Sequence, residues 1–302
     1  MKRSKAEPIH SPTLFEMDKP ETGHLANILN VDRPYCEPGL YLGTSAFTAA
    51  GWQGSFYPPG MQTREFLTHY ATKFRTVEVD STFYGTPSAS TVTAWNEKTP
   101  RDFVFSAKIP QVITHEKVLV DCDGEFDEFI NRMNLLGEKL GPLVLQFPFF
   151  SKSQFETVNE FLPRLRLFLR KIHDMPVKWV VEIRNKTWLD ERLADVLREY
   201  KVALALTDTS FLPRPWEMKE QFDIVTADFV YIRWLGDRKA IEAQTTTWDK
   251  TVIDRSEDLK NWVELFRRFM RRDLKIYAYA NNHYAGNGPG TVKLFWEILN
   301  RK

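Results

Sequence analysis

The sequence predicts an α/β protein: a single closed (β/α)8 barrel of the TIM type, led by a polar amino-terminal arm. Three observations carry the prediction. Eight short apolar runs recur along the 302 residues, each of strand length. An amphipathic segment, or the remnant of one, follows each run, at roughly the 30-residue spacing of a strand–helix unit. Composition does not change along the chain and no linker divides it, so the eight units read as one closed layer of strands inside a layer of helices. An open doubly wound sheet would alternate in the same way, but no glycine-rich dinucleotide turn follows the first strand.

Residues 1–38 carry Pro8, Pro12, Pro20, Pro34 and Pro38 and read as an arm, with a short helix at 23–30. The barrel domain occupies 39–302. Its first strand is 40–42 and ends at Thr44 and Ser45. A loop containing Trp52, Phe56 and Tyr57 leads to a helix at 63–74, with Phe66, Leu67, Tyr70 and Phe74 on one face. The second strand, 76–79, runs into Asp80, Phe83 and Tyr84, and Pro87 opens the next helix. The third strand, 103–105, ends near Lys108. His115 sits in the loop 109–124. Phe126, Phe129, Ile130, Met133, Leu136 and Leu140 mark a helix, and the strand 143–147 is closed by Pro148. The helix at 153–170 should be kinked or interrupted at Pro163.

The fifth strand is the most informative. Trp179, Val180, Val181 and Ile183 suit a strand buried on both faces, while Glu182 and Arg184 stand at its exit. Two apart, these two residues point the same way. They form either a structural ion pair or a working one. A helix on Leu189, Leu193, Val196 and Leu197 follows, then the strand 202–206 with Asp208 at its end. Residues 210–227 are irregular. The strand 229–232 ends in Arg233, and a polar loop, 236–255, leads to a helix on Leu259, Trp262, Val263, Phe266 and Phe269. The eighth strand, 275–279, ends in Asn281, Asn282 and His283, and the last helix begins near Gly290.

Hydrophobic residues are 43% and charged residues 27% of the chain, as in an ordinary soluble protein. The net charge of +1 gives no overall pull toward nucleic acid. Arg267, Arg268, Arg271 and Arg272 read as a solvated helix end. Cys36 and Cys122 have no metal-ligand spacing and read as free thiols of a reducing compartment. No run has the length of a membrane span, and no apolar segment follows the basic start. The expectation is a cytoplasmic protein without a membrane partner. Neither a Walker loop nor a Gly-x-Ser-x-Gly elbow is present, and no cofactor is expected.

In such a barrel the strand exits gather at one rim. Glu182, Glu78, Asp208, His283 and Lys108 are the candidates for acid–base work, because crowded carboxylates push one another's pKa values apart. Arg184, Arg233, Asn281, Asn282, Gly286, Thr44, Ser45, Asp80, Tyr84, Gln146 and Trp188 are the candidates for holding a ligand. Arg233, Asn282 and the glycine-rich loop up to Gly290 suggest an anion site at a helix start, or else a tight structural turn. Trp52, Phe83, Tyr84, Trp188, Trp216, Trp234 and Tyr284 can stack a ring or simply pack under the loops.

Taken together, these motifs resemble the YecE-like family, domain of unknown function 72. The resemblance rests on Gly43-Thr44-Ser45 with Gly51-Trp52, Glu78 to Tyr84, Lys108 with His115, Gln146-Phe147-Pro148, Glu182-Ile183-Arg184 with Trp188, Asp208, Tyr231 to Arg233, and Asn281 to Tyr284 with Gly286. It covers about 39–300 and implies a TIM-type barrel, without naming a reaction. Residues 46–50 separate Gly43-Thr44-Ser45 from Trp52, where the family has its tryptophan sooner.

The expected activity is therefore that of an enzyme (hydrolase, lyase or isomerase) acting on a small anionic, phosphorylated ligand. Alternatives are a divalent-metal phosphoesterase using Glu78, Glu182, Asp208 and His283, a glycosidase using Glu78 and Glu182, and a nucleotide- or nucleic-acid-binding protein without turnover. The basic rim argues against a neutral sugar.

Overall fold

The computed structural model describes residues 33–301. The helix expected at 23–30 and most of the arm lie outside the described residues. The elements are, in chain order, β1 (Cys36–Glu37), β2 (Leu40–Thr44), α1 (Phe66–Lys73), β3 (Thr76–Val79), α2 (Ala89–Glu97), β4 (Val104–Lys108), α3 (Asp123–Met133), β5 (Leu140–Gln146), α4 (Val158–Ile172), β6 (Trp179–Glu182), α5 (Glu191–Glu199), β7 (Ala203–Thr209), α6 (Pro215–Met218), β8 (Phe229–Gly236), α7 (Arg238–Glu242), α8 (Ser256–Arg271), β9 (Lys275–Ala280), α9 (Asn282–Ala285) and α10 (Gly288–Leu299).

All eight expected strands form, and a ninth, β1, pairs antiparallel with β2. The nine make one curled sheet in the order β1-β2-β9-β8-β7-β6-β5-β4-β3, parallel from β2 onward. The fold is thus mixed α/β, and its parallel strands bring their exits to one edge. The curl carries β2 close to β3. A Cβ on Gly43 would lie 2.3 Å from the Thr76 carbonyl oxygen, so only glycine fits there. The Tyr70 hydroxyl bridges the two strands, accepting from the Thr44 N–H at 2.9 Å and donating to the Thr76 carbonyl at 3.1 Å.

Alternation along each strand sorts residues into two cores. Val144, Val180, Ala205, Tyr231, Tyr277 and Tyr279 fill the inside of the curl. Leu204, Leu206 and Ile232 face the helices, against Leu259, Trp262 and Phe266. The helix expected through Leu140 ends earlier. Gly137 takes a φ of +56°, the chain tightens into a 3-10 turn over Asn134–Lys139, and Leu140 starts β5. α4 runs across Pro163 as one helix. Its missing hydrogen bond would have gone to Asn159, near the open first turn. The polar loop after β8 contains the short α7. Among the described residues no helix is long and apolar enough to cross a membrane.

Candidate functional site

The inward-facing exits of β3, β4, β6 and β8 converge on one guanidinium. Arg233 is 1% exposed. Its Nε and Nη2 donate to Glu78 Oε1 at 3.0 and 2.8 Å, its Nη2 also to Asp80 Oδ1 at 3.1 Å, and its Nη1 to Glu182 Oε2 at 2.5 Å. Three carboxylates thus share one cation. Two further cations stand above them. Lys108 Nζ lies 3.0 Å from Asp80 Oδ1, and Arg184 Nε donates to Glu182 Oε1 at 2.8 Å. Tyr231 donates to Glu78 Oε2 at 2.6 Å. Three negative groups face three positive ones, which is how so many charges tolerate burial.

The two buried glutamates are driven apart. Burial pushes Glu78 above its usual range, against the pull of Arg233, and Asp80 adds to the push. Burial acts the same way on Glu182, but Arg233, Arg184 and Lys108 outweigh it and hold that carboxyl down at about 2. Arg233 stays charged: burial opposes its charge, and the three carboxylates override it. The two carboxyls thus sit in opposite electrostatic settings within one cluster, and both are sealed from solvent, which removes them from the direct acid–base role the sequence suggested.

Several expected site residues do not join this cluster. Asp208 pairs in register with Trp234, whereas its neighbour Thr207 pairs with the inward Arg233. It therefore faces the helices, where Trp262 Nε1 and the Tyr284 hydroxyl donate to Oδ2 at 2.8 and 2.9 Å and Arg214 pairs with Oδ1. Asp208→Ala would strand these donors in the core. We expect a loss of roughly 2 kcal/mol in denaturant-measured stability, and an unchanged midpoint would refute this placement.

The expected anion site at the glycine loop is also not assembled. Arg233 is already enclosed by carboxylates. Asn282 Oδ1 accepts from Gly288 N and Trp52 Nε1, and Asn287 Oδ1 accepts from Gly290 N, so the donors of that loop bond within it. Gly286, at φ +105°, is needed because a Cβ there would lie 2.7 Å from the Lys250 carbonyl. The loop is a structural turn. Asn281 bonds Ser45 Oγ and His283, and His283 also meets Glu242 Oε1 at 3.1 Å. Burial lowers the His283 pKa. Thr44 is buried and bonds Tyr70 and the Ala46 carbonyl. Trp188 stacks with Phe150 and Phe161, and Trp52, Trp234 and Tyr284 are likewise core. Tyr84 is 78% exposed, edge-on to Phe83. The four residues expected as metal ligands are divided: Glu78 and Glu182 bind Arg233, while Asp208 and His283 lie elsewhere. Among the described residues no three His, Cys, Asp or Glu side chains converge as ligands would.

A cleft of about 470 Å³ opens beside the cluster, lined by His115, Gln146, Pro148, Phe149, Arg184 and Phe211. Gln146 pairs in register with Glu182, which explains its place. His115, Phe149 and Phe211 were not among the expected site residues. His115 was visible in the loop after the third strand, but a π-helical turn over Val112–Glu116 is what carries it to the cleft. Burial, Arg184 and Lys108 hold its pKa down at about 4, so it is neutral near pH 7. Phe149 sits in the run Phe147-Pro148-Phe149-Phe150, whose other phenylalanines are buried. Nothing in the sequence separates the exposed one from them.

Residues 41–302 match the family described as Protein of unknown function DUF72. The chain is 39% identical over 82 residues to the UPF0759 protein YecE of Escherichia coli, covering 27% of this chain and 30% of that protein. It is 30% identical over 155 residues to the UPF0759 protein YunF of Bacillus subtilis, covering 49% of this chain and 52% of that protein. These matches therefore span from under a third to about half of the relatives' length. Among solved structures, a DUF72 family protein of Thermotoga maritima superposes with a TM-score of 0.66 at 28% identity, over 87% of this chain and 99% of that one. A DUF72 family protein of Enterococcus faecalis gives 0.65 at 20% identity, over 87% and 96%, a likeness of fold alone.

Proposed function

This chain belongs to the DUF72 family, and we propose that the site at its strand exits is that of an enzyme acting on a small anionic, phosphorylated ligand by proton transfer. We read the curled sheet as a (β/α)8 barrel closed between β2 and β3 by Gly43, Tyr70 and packing, with the cleft at its carboxyl-terminal face. The free thiols of Cys36 and Cys122 support a reducing, cytoplasmic setting.

One observation carries the reading. The carboxylates Glu78 and Glu182 are fully buried beneath the cluster, while Arg184 and Lys108, side chains 27% and 12% exposed, face outward from it. Arg184 Nη1 and two of the Lys108 protons have no protein partner among the described residues. A phosphate oxygen fits those donors, and a guanidinium holds it in fixed geometry. Gln146 orients the ligand from beside Glu182. Proton transfer falls to groups with a solvent face, Asp80 and His115. Glu182 and Glu78 act from below, fixing Arg184 and Arg233 in place and supplying the local field.

Thermal unfolding with and without phosphorylated compounds tests this. A compound well above its dissociation constant should stabilise the protein by roughly 3 kcal/mol, and Arg184→Ala should abolish the effect. A stabilisation that persists in both Arg184→Ala and Lys108→Met sinks the reading. Binding without turnover of any phosphorylated compound would favour a nucleotide-binding protein instead.

A further inference from the structure

We propose that the ligand of this cleft is an anion bearing a planar ring, of the mononucleotide class, with the ring held by Phe149 and Phe211. This rests on the anion reading above and narrows it.

Phe149 is 69% exposed and Phe211 49% exposed. Single exposed apolar residues are ordinary, but these two line the same cleft. Their placement is topological. Phe149 follows β5 and Phe211 follows β7, the two strands that flank β6 in the sheet. Arg184 leaves β6 between them, and its guanidinium carbon lies 5.6 Å from the Phe211 ring centroid. A cationic fork therefore shares one cleft with two phenyl groups exposed to water.

That pairing defines the ligand. A bare phosphate would satisfy Arg184 and leave both phenyl groups exposed. A neutral ring would cover the phenyl groups and leave Arg184 Nη1 and the two remaining Lys108 donors without an acceptor. A ring joined to a phosphate satisfies both. The volume of about 470 Å³ lies within the range of small-molecule sites. Gln146 and the neutral His115 add polar atoms on the same wall. His115 Nδ1 meets Thr114 Oγ1 at 2.9 Å, which leaves Nε2 to address a ring edge. The aromatic side chains that the sequence offered for stacking are mostly core, whereas these two are not.

Calorimetric titration with adenosine 5′-monophosphate, ribose 5-phosphate and adenosine separates the possibilities. Both phenylalanines are exposed, so their replacement does not threaten folding. The monophosphate should bind the wild type at least about tenfold more tightly than ribose 5-phosphate, the usual worth of a base stacked on an aromatic side chain. In Phe149→Ala/Phe211→Ala the two should bind within about twofold of each other, and Phe149→Trp should restore the difference. Equal binding of the two phosphates by the wild type, both lost in Arg184→Ala, would overturn the ring while leaving the anion reading intact. Adenosine binding as tightly as its monophosphate, or no binding of either phosphate, would overturn both.

Discussion

Arg233→Met should lower stability by about 3–5 kcal/mol. Methionine keeps the aliphatic stem of the side chain but leaves the space of the guanidinium unfilled, a packing loss that adds to the main effect. That main effect is one of charge: Glu78 and Glu182, both 0% exposed, lose the cation they share. Ionised carboxylates cannot stay in that environment alone, and they take up protons instead. The variant should therefore be least stable at neutral pH and regain stability on acidification. Arg233→Lys should recover little, because one ammonium cannot reach Glu78, Asp80 and Glu182 in the geometry of the fork. Denaturant unfolding of the variants between pH 4 and 8 checks this. A loss below about 1 kcal/mol would mean that the cluster is solvated and that Arg233 is not its centre.

Glu182→Gln should cost roughly 3 kcal/mol at neutral pH, and Glu78→Gln much less. The first figure follows from linkage. Glu182 is held at about 2 in the folded protein against 4.5 for a free glutamate, a difference worth roughly 3 kcal/mol. A depressed carboxyl stabilises fully above its unfolded pKa. That contribution fades as pH falls from about 4.5 toward about 2. Glu182→Gln should therefore lie below wild type at pH 7, with the gap closing through this window.

Glu78 has the opposite sign. Its pKa is raised, so its stabilisation is complete below the ordinary glutamate range and declines as pH rises through the folded value. Glu78→Gln removes that decline and should approach the wild type from below as pH increases. Stability profiles of wild type and both variants, compared as differences, decide the matter. If the two variants lose equally at neutral pH, the two carboxyls are not driven apart.

The same cluster shows how far the sequence reaches. The strand runs were legible because a buried parallel strand is apolar throughout, and helices such as α8 were legible from their period. The resemblance to the YecE-like family was legible too, and the match over 41–302 bears it out. So was the convergence of Glu78, Asp80, Lys108, Gln146, Glu182, Arg184 and Arg233, since each lies at the exit of a strand.

Three things were not legible. Asp208 resembles Glu182 in the sequence, an acid at a strand's end, yet a one-residue difference in register turns it to the outer core. Arg233 and Arg184 look alike as rim cations, yet one is buried among carboxylates and the other faces the cleft. Phe149 looks like its neighbours Phe147 and Phe150, yet it alone of the three stands in water.

The reason is common to all three. Hydrophobic periodicity is a local property, set by residues a few positions apart, and the sequence determines it directly. Which side of a strand faces inward, and which cation meets which carboxylate, depend on the register and curl that bring β3, β6 and β8 within hydrogen-bonding reach. Those contacts join residues as far apart as Glu78 and Arg233, and only the tertiary structure decides them.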